Sequence, residues 1–158
     1  MSRTPYVAVV GPGEASPAEL HTAEEVGAGL AAAGAVVVTG GLGGVMEAAC
    51  RGARSEGGFT VGLLPGVSAE DANGWVVLAL PTGLGEARNA VIARSADAVV
   101  AVGGGWGTLA EIAFALRAGT PVLGVGTWEL GRDGAAVAGV RAVDDAATAV
   151  AEALRLAR

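Results

Sequence analysis

The stretch Ala98 to Gly119, AVVAVGGGWGTLAEIAFALRAG, leaves few folds open. It opens with a short run in which every residue is apolar, and such a run is an interior parallel strand rather than a helix. Gly103, Gly104, Gly105 and Gly107 follow at its exit, where they permit positive φ and leave backbone amides uncovered by side chains. Thr108 is placed to cap the helix that comes next. Amides at a helix N-terminus, backed by roughly half a positive charge of macrodipole, suit a phosphate or another small anion.

The same unit recurs along the chain. Tyr6 to Val10 is the first expected strand, followed by Gly11-Pro12-Gly13 and by Ser16-Pro17-Ala18-Glu19, which has the form of a capping box with proline at the first helical position. Leu20, Ala23, Val26, Leu30 and Ala33 continue that helix to Gly34. Ala35 to Thr39 is the second strand, Gly40 to Gly44 its exit turn, and Val45 to about Glu56 the next helix. Strands are expected at Thr60 to Leu64, Val76 to Leu80, Pro121 to Val125 and Val140 to Val143. Helices are expected from Glu86 to Ala96 and, capped by Asp144, over the tail. Apolar strands alternating with helices predict an α/β domain spanning 1–158: a doubly wound, mainly parallel sheet with helices on both faces. Ligands of such folds sit beyond the carboxyl ends of the strands, where the turns at Gly11, Gly40, Gly83 and Gly103 converge.

Composition narrows the chemistry. Every basic residue is an arginine, so Schiff-base chemistry, a pyridoxal phosphate anchor and a phosphate-loop lysine are excluded. His21 and Cys50, the sole histidine and cysteine, make no zinc-spaced cluster, and no metal ion is expected. Gly11-Pro12-Gly13-Glu14-Ala15-Ser16 departs from the dinucleotide fingerprint at its third glycine, and the second strand ends in Thr39-Gly40 rather than an acid. NAD is therefore disfavoured, and no cofactor is expected. A net charge of −6 without a basic run argues against nucleic acid or a membrane surface as partner. The single cysteine and a start without a signal-peptide core lead to the expectation of a cytoplasmic protein.

Among the candidate residues, Gly11 and Gly13 form either a tight turn or a ligand contact. Gly40, Gly41, Gly43 and Gly44, leading into Met46 and Glu47, offer a second amide cradle; Met46 suits packing as well as ligand contact, and Glu47 complements the helix dipole. Arg88 stands near a helix start, where a cation opposes the dipole, so its fork is better used on a phosphate or on a carboxylate it orients. Glu111 has two readings: the far end of a Thr108-Leu109-Ala110-Glu111 capping box, or a carboxylate in the crevice that binds sugar hydroxyls or stabilises a ribosyl cation. Trp106 offers a flat wall for a base or pterin ring, or packing at a subunit contact. Trp75 and Trp128 are assigned to packing.

Gly104-Gly105-Trp106-Gly107-Thr108-Leu109-Ala110-Glu111, preceded by Arg88, resembles the GGxGTxxE signature of the LOG family, whose members were often labelled lysine decarboxylases. The resemblance implies a Rossmann-like homodimer that hydrolyses nucleoside 5′-monophosphates to base and ribose 5-phosphate. Catalysis would fall to Arg88 and Glu111, and phosphate binding to Gly40 to Gly44 and Gly104 to Thr108. Where the family pattern has proline, a basic residue and a further glutamate, this chain has Gly103, Asn89 and Ala110. Those departures, with the Gly11-Pro12-Gly13 start, look more like the branch of SLOG-type domains and molybdenum cofactor carrier proteins. In that branch the same crevice binds a phosphorylated ligand, of nucleotide or pterin type, without necessarily cleaving it.

Overall fold

The computed structural model describes residues 3–157. Its centre is a seven-stranded sheet in the order β4-β3-β2-β1-β5-β6-β9, with every pairing parallel. The strands are β1 (Tyr6–Val10), β2 (Val36–Thr39), β3 (Thr60–Leu64), β4 (Leu78–Pro81), β5 (Ala98–Val102), β6 (Val122–Val125) and β9 (Val140–Ala142). Between β6 and β9, in the glycine-rich excursion, β7 (Gly131–Arg132) and β8 (Ala135–Ala136) form a separate hairpin. The chain moves outward from β1 to β4, returns to place β5 beside β1, and then moves outward on the other side. The order reverses between β1 and β5, and the crevice at such a switch point is where doubly wound sheets take their ligands.

Among the described residues, the α-helices that clothe the sheet are α1 (Pro17–Ala32), α2 (Val45–Ser55), α3 (Arg88–Ser95), α4 (Trp106–Ala118) and α5 (Ala146–Leu156). Side-chain alternation along each strand divides the core. Val7, Val9, Val37, Val100 and Val102 point to the layer of α1, α2 and α5, whereas Ala8, Val10, Val38, Val99 and Ala101 point to Ile92 and Ala93 of α3 and Ile112 and Ala115 of α4. Successive apolar residues along β1 and β5 thus serve two separate helix layers.

Local chemistry places the ends. Ser16 caps α1 through a full capping box with Glu19, as its spacing predicts. The last helix is capped by Asp145, whose carboxylate accepts from the Thr148 N–H, rather than by Asp144. Strand β4 starts two residues later than its apolar run, because the Val76 N–H turns back to the Asn73 carbonyl. It ends on Pro81, which an edge strand tolerates. A 3₁₀ turn, Gly85–Ala87, precedes α3, so Arg88 opens the helix proper. No helix among the described residues is long and apolar enough to cross a membrane.

Candidate functional site

A cavity of about 380 Å³ opens at the carboxyl ends of β1 and β5. Its walls come from distant parts of the chain: Gly11, Pro12 and Gly13 after β1, Leu42 and Met46 around the start of α2, Pro65 after β3, Glu86, Arg88 and Asn89 at the start of α3, and Gly105, Gly107, Thr108 and Glu111 from α4 and its approach. Of the residues singled out from sequence, it gathers Gly11, Gly13, Met46, Arg88, Gly105, Gly107, Thr108 and Glu111. Gly40, Gly41, Gly43, Gly44, Gly104 and Trp106 stand outside its lining.

The glycines outside the wall are occupied with packing. Gly44 has φ +64°, and a Cβ there would lie 2.3 Å from the Pro12 carbonyl oxygen, which accepts the Val45 N–H at 3.1 Å. The Gly41 N–H donates to Thr39 Oγ1. The turn after β2 is therefore docked on the β1 loop, and it reaches the cavity through Leu42. At the exit of β5, Gly103 has φ +63° and donates its N–H to the Val125 carbonyl. A Cβ on Gly103 would fall 2.1 Å from Glu19 Oε1, so the turn after β5 lies directly on the α1 capping box.

Helix α4 begins at Trp106 with Gly105, in extended conformation, as its N-cap. Thr108 is therefore not the cap: it sits one turn in, with Oγ1 accepting from the Gly105 N–H at 3.4 Å. That places Glu111 in the second turn, where it faces inward; the capping-box reading of Thr108-Leu109-Ala110-Glu111 does not hold. Trp106 is 79% exposed and its ring tilts against that of Trp128 at a centroid distance of 5.3 Å. Trp128 does more than pack. Its Nε1 donates to the Gly105 carbonyl at 3.2 Å, and a Cβ on Gly104 would meet that nitrogen at 2.7 Å. The only cue for this role was topological: β6 lies beside β5, so its exit loop must cover the neighbouring turn.

Arg88 and Glu111 form the polar end of the cavity. Both are buried, and the nearest guanidinium nitrogen is 3.9 Å from Glu111 Oε1, an ion pair too long for a hydrogen bond. Arg88 Nη1 donates to Asn89 Oδ1, Nη2 reaches the Gly40 carbonyl at 3.5 Å, and the buried Nε has no partner among the described residues. Burial raises the Glu111 carboxyl from 4.5 to about 7, the nearby Arg88 cation pulling the other way. Burial also lowers the Arg88 pKa, which Glu111 partly offsets, but a guanidinium remains charged at neutral pH. The cavity thus holds a cation whose donors are incompletely used, beside a carboxyl that is about half neutral at pH 7. Asp97 lies elsewhere, accepting from the Tyr6 N–H and pairing with Arg3. No cluster of metal-ligating side chains occurs among the described residues.

Residues 4–152 match the model of the SLOG cluster4 family. The chain belongs to that family. Within reach of this SLOG protein is a molybdenum cofactor binding protein from the phototrophic bacterium Rippkaea orientalis, 33% identical over 98% of both chains with a TM-score of 0.86. The Moco carrier protein of Chlamydomonas reinhardtii is 37% identical over 98% of both chains, with a TM-score of 0.85. A protein of Archaeoglobus fulgidus, itself described only as uncharacterized, is 43% identical over 116 residues, which are 73% of this chain and 76% of its own. The resemblance carried by Gly104 to Glu111 and by Arg88 is thereby placed in the SLOG and molybdenum cofactor carrier-like branch, and the parallel sheet flanked by helices matches these neighbours.

Proposed function

We propose that this SLOG cluster4 protein binds a small phosphorylated ligand of the pterin class, such as molybdenum cofactor, in the cavity between the β1 and β5 exits and holds it intact. The observation that carries this reading is Arg88, buried at the cavity wall with an Nε that no group among the described residues accepts from. A buried guanidinium with unused donors costs free energy until an anion completes its bonds. The start of α4 adds its dipole at Gly105, Gly107 and Thr108. Pro12, Leu42, Met46 and Pro65 give the remaining wall an apolar character suited to a flat ring. The likeness to the carrier proteins of Rippkaea orientalis and Chlamydomonas reinhardtii supports the same class of ligand.

Hydrolysis of a nucleoside 5′-monophosphate is the competing reading, because Arg88 and Glu111 meet in the cavity. Its weakness is electrostatic. A ribosyl cation is stabilised by an ionised carboxylate, whereas Glu111 is about half protonated at pH 7, and Ala110 supplies no second one. Incubation with AMP, followed by chromatography for free adenine and by thermal melting, separates the two. The carrier reading expects a raised melting temperature with AMP or a pterin phosphate and no adenine. Adenine released by the protein and abolished in Glu111→Gln overturns it.

A further inference from the structure

Arg88 is not alone at the polar end of the cavity. Asn89, the next residue of α3, is 6% exposed and lines the same wall. Its Oδ1 accepts from Arg88 Nη1. Residues one apart on a helix do not face each other, so this pairing needs the guanidinium to turn toward its neighbour. It also decides which way the carboxamide points. A guanidinium only donates, so the amide oxygen must face it and the NH2 group must face away; the reversed amide would set donor against donor. Asn89 Nδ2 donates to no acceptor among the described residues, yet it is not sealed in by protein atoms, and the open space that Asn89 borders is the cavity. Asn73 shows the contrast: its Nδ2 donates to the Leu42 carbonyl at 2.9 Å and its Oδ1 accepts from the Trp75 N–H at 3.0 Å.

We infer that Asn89 is a ligand-binding residue: with its oxygen committed to Arg88, its N–H groups join the unused Arg88 Nε in a donor-only set that takes the oxygens of a phosphoryl group and fixes which end of the ligand enters the polar side. Asn89 adds donors there without adding charge. Arg88 is the single cation among the lining residues, set against the carboxyl groups of Glu86 and Glu111. The set therefore selects for oxygen atoms that bear no hydrogen, and phosphoryl oxygens fit it. A purine or pterin edge, which mixes N–H with acceptors, would turn a donor toward these donors. The ring is left to the apolar wall of Pro12, Leu42, Met46 and Pro65. This assignment rests on the anion-binding reading above and adds to it a residue and an orientation.

The composition makes the test direct. Asn73 and Asn89 are the only asparagines and there is no glutamine, so a nitrogen-15 NMR spectrum of the full chain holds two side-chain NH2 pairs, which sequential assignment tells apart. Inorganic phosphate is expected to shift the Asn89 pair on the same saturation curve as the backbone amides of Gly105 to Thr108, leaving the Met46 methyl in place. AMP is expected to shift the Asn89 pair and the Met46 methyl together, and adenosine to leave the Asn89 pair unmoved. Asn89→Asp keeps an acceptor for Arg88 but removes the donors. It is expected to raise the phosphate dissociation constant by about tenfold or more without lowering the melting temperature of the unliganded protein. Should that variant fail to fold, the titration of the unaltered protein still decides. Phosphate shifts at Gly105 to Thr108 with a motionless Asn89 pair overturn the assignment and leave the anion-binding reading standing. So do an adenosine shift of that pair as large as phosphate's and an Asn89→Asp variant of equal affinity. No shift anywhere in the cavity with phosphate or AMP overturns the anion-binding reading, and the assignment with it.

Discussion

At the Glu111 carboxyl two fields act in opposite directions: removal of water favours the neutral form, and Arg88 at 3.9 Å favours the ion. Desolvation wins, and the group titrates near 7 when folded against 4.5 when exposed. The sign of the linkage follows. Between those two values the folded chain holds a proton that the unfolded chain has lost, so stability is greatest at and below the lower value and falls as pH rises through about 7. The full loss is on the order of 3 kcal/mol. Glu24, with its carboxyl lowered by Arg51, and Asp145 and Glu152, lowered by Thr148 and by Arg155, titrate below this window. A melting series from pH 5 to pH 8 should therefore show a falling melting temperature that Glu111→Gln flattens. Arg88→Met, by removing the opposing cation, should move the midpoint upward; an unchanged slope in Glu111→Gln would sink the assignment.

At the scale of elements, the close crossing of α1 and α2 depends on glycines that the sequence pattern does not single out. A Cβ on Gly27 would lie 2.0 Å from the Ala49 carbonyl oxygen, and one on Gly52 would lie 1.9 Å from that of Glu24. Backbone therefore meets backbone at this crossing, and α2 is brought close enough for its preceding turn to dock on the β1 loop. Alanine is favoured over glycine inside a helix by about 1 kcal/mol. Even so, Gly27→Ala and Gly52→Ala should each destabilise the protein by about 1–3 kcal/mol in urea unfolding, because neither contact can relax without separating the helices. Gly107, also helical, has nothing within 4 Å of a Cβ, and Gly107→Ala should not destabilise it. Equal effects at the three positions would refute the crossing argument.

The same scale explains what the sequence disclosed. Thr60 to Leu64, closed by Pro65, and the apolar run Ala98 to Val102, closed by Gly103, were expected strands, and the strands have those bounds. Thr108-Leu109-Ala110-Glu111 has one spacing and two meanings, decided by whether the helix starts at Thr108 or at Trp106. An extended Gly105 settles that start, and nothing local announces it. Arg88 was legible because a cation at a helix start is locally unfavourable, a conflict that often marks a site. Trp128 was not, because its contact with Gly104 and Gly105 crosses from the exit of β6 to the exit of β5.

For the whole molecule, the cavity has no single parent segment: the β1 exit, the start of α3 and the start of α4 meet only because β5 returns to lie beside β1. A ligand that bridges them must stabilise all three together, whereas an anion on the α4 terminus alone would protect one. Binding also adds to global stability by mass action, about 2.7 kcal/mol at a hundredfold excess over the dissociation constant. Hydrogen exchange with and without a saturating pterin phosphate should therefore show slower exchange at Gly11 to Ala15, at Glu86 to Asn89 and at Gly105 to Glu111. The hairpin of β7 and β8, which contributes no residue to the cavity lining, should exchange at an unchanged rate. Protection confined to the first turn of α4 would mean that the helix dipole holds the anion without Arg88, and the carrier reading would lose the group on which it stands.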